Sequence, residues 1–80
     1  MCELKVADDL WRGAVAPEGI LERWRVKDGA MVRKGQPLAE LRIEDALHEL
    51  VAPDAGRLSI YAGKDAIIEP GAVVGRLERL

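Results

Sequence analysis

The sequence predicts an all-β fold: a two-layer sandwich or flattened barrel with pseudo-twofold symmetry, built from two halves of four short strands each. Three observations carry that expectation. Glycine and proline interrupt the chain at short intervals, the apolar residues between them tend to alternate, and a pattern of residues recurs at an offset of 36.

The punctuation falls at Gly13, Pro17, Gly19, Gly29, Gly35, Pro37, Pro53, Gly56, Gly63, Pro70, Gly71 and Gly75. Such short runs favour strands over helices. In chain order, Leu4 and Val6 mark a first strand. Residues 19–26 follow with Leu21, Trp24 and Val26 apolar, an imperfect alternation that places a bulge near Glu22-Arg23. Leu38, Leu41 and Ile43 mark the next strand, then Leu47 with Leu50. Leu58 with Ile60, and Val74 with Leu77, complete the series. The local competitor is a helix over 39–51, which holds good helix formers and no glycine.

The repeat decides between them. Ala16-Pro17, Val32, Gly35, Leu38 and Leu41 recur as Ala52-Pro53, Ile68, Gly71, Val74 and Leu77. Gly19 and Gly56 stand at an offset of 37, so a one-residue slip lies between them and the rest. Neither half can bury a face alone, and packing one against the other gives the two layers. Asp65 stands where the first half has Gly29, and aspartate tolerates a left-handed turn better than most residues. The expected core is Leu21, Trp24, Val26, Val32, Leu38, Leu41, Leu50, Leu58, Ile68, Val74 and Leu77.

Composition bounds the function. Eighty residues, 49% of them hydrophobic and 32% charged, make one globular domain spanning 1–80. A folded surface of about 4,800 Å² leaves one thin core and no deep substrate cavity. A net charge of −2 with mixed signs gives no basic face, so nucleic acid is not an expected partner. No apolar run is long enough to span a bilayer or to make a signal peptide, so no membrane partner is expected and the default compartment is cytoplasmic. Cys2, the single cysteine, has no disulfide partner, and with His48 it is too small a ligand set for a metal site.

From about residue 17 to 78 the chain resembles the biotinyl/lipoyl carrier domain family. Glu18-Gly19, Trp24, Lys27, Gly29, Val32, Gly35-Gln36, Leu38, Leu41, Glu49-Leu50 and Ala52-Pro53 fit the family pattern in order and without gaps. The resemblance implies a lipoyl-like barrel-sandwich hybrid: two four-stranded antiparallel sheets, both termini at one end, and a hairpin tip at the other. In the family that tip bears a lysine, whose amine takes lipoate or biotin in amide linkage. Counting back from Glu49 and Ala52-Pro53 puts Asp45 at that position, with Ile43, Glu44 and Ala46 completing the tip. No lysine lies between Lys34 and Lys64. Neither cofactor is therefore expected.

Asp45 with Glu44 reads either as an acidic recognition loop or as an ordinary turn filler. The pair does not read as hydrolytic carboxylates, because adjacent residues point apart. His48 lacks a partner that would make it a general base. The resemblance makes the segment 8–12, with Asp8, Asp9 and Trp11, a candidate partner contact, and Trp11 reads either as an anchor there or as a packing residue. The functional expectation is a non-acylated docking or adaptor module for a larger enzyme, of the 2-oxoacid dehydrogenase type among others. It has no catalysis of its own and is a monomer as an isolated domain. The alternatives are a carrier-set member whose lysine is lost or displaced, and a detached structural module of a larger assembly.

Overall fold

The computed structural model describes residues 2–79. Eight strands form in chain order: β1 (Cys2–Lys5), β2 (Gly19–Trp24), β3 (Met31–Val32), β4 (Pro37–Ile43), β5 (Ala46–Val51), β6 (Gly56–Ile60), β7 (Ile67–Ile68) and β8 (Val73–Glu78). A single 3₁₀ turn at Asp8–Trp11 is the only helical element among the described residues. The competing helix over 39–51 is replaced by the β4–β5 hairpin.

The strands make two four-stranded antiparallel sheets, ordered β1-β8-β6-β3 and β5-β4-β2-β7. They remain two sheets and do not close into one barrel. Neither sheet is one half of the repeat. The two-residue strands are exchanged: β3 of the first half pairs with β6, and β7 of the second pairs with β2. Each half therefore completes the other's sheet, a stronger interlock than the face-to-face packing of two intact halves that the repeat suggested.

The repeat is visible in the backbone itself. Gly35 and Gly71, 36 residues apart, have φ of 83° and 82°. Gly29 has φ of 87° and its counterpart Asp65 has φ of 70°, so the aspartate takes the left-handed conformation as expected. The one-residue slip also has a structural cause. The β2–β4 register shifts between Leu21 and Arg23, leaving Glu22 as an extra residue, while the equivalent β6–β8 register runs without a shift.

The core between the sheets holds Leu4, Val6, Leu21, Val32, Leu38, Leu41, Ala52, Leu58, Ile68, Val74 and Leu77. Trp24, Val26 and Leu50 were expected in it and are only half-buried, packed against its margin. Each has a reason. The Trp24 indole reaches the rim, where Nε1 donates to the Ala62 carbonyl at 2.8 Å. Leu50 lies on an edge strand with no neighbour on one side. Val26 lies beyond the end of β2. The accessible surface is 5080 Å², close to the expectation from chain length. Among the described residues no helix is long and apolar enough to cross a membrane.

Candidate functional site

The β4–β5 hairpin closes on the pair Ile43–Ala46 with only Glu44 and Asp45 in the turn. A two-residue turn requires a first residue with positive φ unless the strands splay, and Glu44 takes φ of 55°. Glutamate is an unusual occupant of that conformation, and its side chain supplies the compensation. Glu44 Oε2 accepts the backbone N–H of both Val15 and Ala16, each at 2.9 Å. The carboxylate thus straps the 13–18 segment to the tip. Asp45 makes no hydrogen bond among the described residues and stands exposed beside Glu44.

The expected tip residues separate in the structure. Glu44, Asp45 and Ala46 are exposed, but Ile43 is only 2% exposed and belongs to the interior. Alternation along β4 explains this correction. Ile43 shares the inward face of Leu41 and seats beside the start of β2, where a Cβ at Gly19 would come within 2.9 Å of its Cγ1.

The tip stands at the end of the molecule away from the chain ends. Arg79 pairs with Asp54 through Nη2 at 2.6 Å, and Asp54 follows the far end of β5. That pairing holds the Asp54 carboxyl below its ordinary value, chiefly through the Arg79 hydrogen bond and then through the Ala55 N–H.

Asp8 and Asp9 are exposed on the 3₁₀ turn. Trp11 is half-buried and packs with Leu10 against the core, so it is a packing residue and not an exposed anchor. Its Nε1 is buried with no partner among the described residues. Four residues on, Val15 is 94% exposed where Glu44 holds the chain against the tip. Below the tip, on the outer sheet face, a cross-strand row runs Leu47, Arg42, Ile20, Ile67. A shallow groove of about 310 Å³ lies there, lined by Glu18, Gly19, Ile20, Arg42, Glu44 and Ile67. Arg42 donates to Glu22 at 2.8 Å. That bond, with the Glu22 charge and more weakly that of Asp45, raises the guanidinium above its ordinary value.

The sequence reading missed Val15, the strapping role of Glu44 and the Ile20–Ile67 contact. Only the acid in the turn carried a signal, because the other contacts depend on which strands are neighbours. His48 pairs with Leu41 and so faces inward, half-buried, on the edge strand. Among the described residues no group of three or more His, Cys, Asp or Glu is placed to hold a metal ion.

Two interlocked four-stranded sheets with a two-residue hairpin turn presented at one end define a barrel-sandwich domain. The family model described as "Biotin-requiring enzyme" matches residues 12–77, and the chain belongs to this biotin/lipoyl family. It is also 33% identical over 60 residues to an acetyl-CoA carboxylase of Dictyostelium discoideum, a match covering 75% of this chain and 3% of that protein. The chain thus corresponds to a small part of that relative's length.

Proposed function

We propose that this chain is a docking or adaptor module for a larger enzyme and that it carries no covalent arm at its tip. The observation that supports this is the chemistry of the hairpin turn. An amide to biotin or lipoate needs an amine, and Glu44 and Asp45 offer only carboxylates. In this reading Asp45 stands where the family's lysine would be. The residues present do not fit the group. Lys34 and Lys64, the nearest on either side in sequence, lie in turns outside the β4–β5 hairpin.

What remains at the tip is a recognition surface. Val15, Ile20, Leu47 and Ile67 offer apolar contact, and Glu18, Glu44 and Asp45 give it an acidic rim. The partner is then a protein surface with an apolar centre and basic groups around it. The family description and the acetyl-CoA carboxylase relative favour a biotin-dependent enzyme as the partner over the 2-oxoacid dehydrogenase type. The relative's length also supports a second reading, a module working inside a larger assembly. In both readings the chain has no catalysis of its own and works in the cytoplasm.

Intact-mass measurement after co-expression with biotin and lipoate ligases tests the proposal. The native chain is expected to keep its unmodified mass, and Asp45→Lys to gain a biotinyl or lipoyl increment. An increment on the native chain overturns the reading. No increment on Asp45→Lys would show that the hairpin differs from an attachment site in more than one residue.

A further inference from the structure

Every open sheet edge is a row of unpaired backbone donors and acceptors, and proteins blunt such edges by shortness, bulges, charge or proline. Here the edges are β1 and β3 in one sheet, β5 and β7 in the other. β3 and β7 have two residues each. β1 has four, two of them the charged Glu3 and Lys5, and the extra residue of its ladder, Val74, lies on the β8 side. β5 is different. It has six residues, no lysine and no proline; as in β1, the extra residue of its ladder lies on the partner strand, between Pro37 and Ala39.

The direction of the free groups on β5 follows from Ala52. Its N–H donates to the Gln36 carbonyl at 2.9 Å and its carbonyl accepts the Gly35 N–H at 2.7 Å. Backbone groups alternate along a strand. Ala46, His48 and Leu50 therefore face β4, while Leu47, Glu49 and Val51 direct both N–H and C=O away from it. The side chains alternate in the same phase. Ala39, Leu41 and Ile43 are buried, so their partners Leu50, His48 and Ala46 point inward, and Leu47, Glu49 and Val51 lie on the outer face. Leu47 and Val51 are 53% and 45% exposed.

We propose that β5 is a strand-addition edge and that its occupant is β5 of a second copy, antiparallel about a twofold axis through Glu49. Twofold pairing requires opposed residues to share a face and to direct their backbone groups at each other. Centring on Glu49 meets both conditions. Leu47 then opposes Val51 of the second copy, twice, so the exposed apolar side chains cover one another. His48 opposes Leu50 on the inner face. Glu49 opposes its own copy, but it does not enter as a bare charge. Arg25 lies 3.7 Å from Glu49 and 2.7 Å from Glu40, and Arg23 lies 2.8 Å from Glu40, so two cations and two anions cancel in each copy. Centring on His48 instead opposes Leu47 to Glu49 and leaves Val51 uncovered. One strand from each copy is a small interface, so the dimer is a weak one, and the monomer expected from the sequence is the state at low concentration. The antiparallel arrangement points the two tips in opposite directions; it covers Leu47 and leaves Val15, Ile20, Ile67, Glu44 and Asp45 of each tip free. The inference does not depend on the docking reading.

Sedimentation equilibrium on the full chain tests it. The average mass is expected to rise from 8.8 kDa toward twice that value as concentration increases. Glu49→Pro deletes an outward N–H without removing a bond to β4. It is expected to stay at the single-chain mass, with its fold checked by circular dichroism. If that variant does not fold, Leu47→Lys replaces it, with the same expected result. In a Cys2→Ser background, Glu49→Cys is expected to form a disulfide-linked dimer on oxidation and His48→Cys is not, because Glu49 alone lies on the axis with its hydrogen-bonded pair about 5.5 Å apart. A native chain that stays at 8.8 kDa at the highest concentration overturns the proposal. So does a dimer that survives the blocking variant, or one that cross-links through His48→Cys and not Glu49→Cys.

Discussion

In the first half of the repeat, β4 and β5 are joined by the Glu44-Asp45 turn. In the second, the equivalent antiparallel pair is β8 and β1, two strands from opposite ends of the chain. Leu41 faces His48 in one pair, and Leu77, 36 residues on, faces Cys2 in the other. Leu50 against Ala39 corresponds to Leu4 against Gly75. The framework that buries apolar surface is therefore duplicated, while the two-residue turn of the proposed docking site exists once. Stability and the proposed recognition sit on different parts of the same symmetry, and substitutions should separate them.

The largest effects belong to the duplicated framework. Leu41 and Leu77 are equivalent and fully buried. Leu41→Ala and Leu77→Ala should each cost about 2–5 kcal/mol of unfolding free energy, read from denaturant titration. Because the sites are equivalent, the two losses should be similar. A large loss at one and none at the other would break the symmetry of the core.

Next come the turns where the halves differ in residue but not in conformation. A Cβ at Gly29 meets nothing within 4 Å, so Gly29→Ala is resisted only by its φ of 87°. The expected cost is about 1–2 kcal/mol. Gly29→Asp should cost less, because Asp65 already holds the equivalent conformation. Asp65→Gly should change thermal stability little or raise it. If Gly29→Asp proves worse than Gly29→Ala, the equivalence of the two turns is wrong.

The strap comes third. Glu44→Gln removes the charge that accepts the Val15 and Ala16 amides. Global stability should move by less than about 1 kcal/mol, since the pair is exposed. The exchange rates of those two amides should rise several-fold, with no change at Leu41 or Leu77. Unchanged exchange at Val15 and Ala16 would show that the strap does not hold in solution.

These expectations show what the sequence could and could not reveal. The fold was legible because a repeat constrains both halves at once: Gly35 and Gly71, or Leu41 and Leu77, need no knowledge of pairing to be matched. The bulge at Glu22 was legible as a break in alternation and as the slip between Gly19 and Gly56. The exchange of β3 and β7 was not, because two-residue strands have no period to read. Leu47 with Leu50 marked strand β5; residues three apart in a strand point oppositely, and Leu47, which was not among the expected core residues, lies outside. At the tip, the acidic Glu44-Asp45 turn was legible as residue identity alone. The contacts of Glu44 with Val15 and Ala16 span 29 and 28 residues and follow from no local pattern.

The smallest expected effect tests a difference in charge between equivalent positions. Glu40 on β4 sits between Arg23 and Arg25 with its side chain 16% exposed. Its counterpart 36 residues on is Arg76, which among the described residues has only a 3.9 Å contact with Glu78 and a buried Nε without a partner. The Arg23 hydrogen bond, followed by that of Arg25, holds the Glu40 carboxyl below its ordinary value. A group whose value is lowered on folding contributes stability that is complete above its unfolded value and is lost as pH falls through the folded one. Glu40→Gln should therefore lower the denaturation midpoint by a constant amount near neutrality, and the gap to the native chain should close on acidification below the ordinary carboxylate range. Asp54 is also held low by Arg79, but it is present in both proteins and cancels in the difference. Arg76→Gln removes a cation that has no short ion pair to lose, so its midpoint should run parallel to the native chain across the same pH range. A Glu40→Gln gap that persists into acid would mean that the loss comes from packing of the side chain against its neighbours and not from the two guanidinium hydrogen bonds.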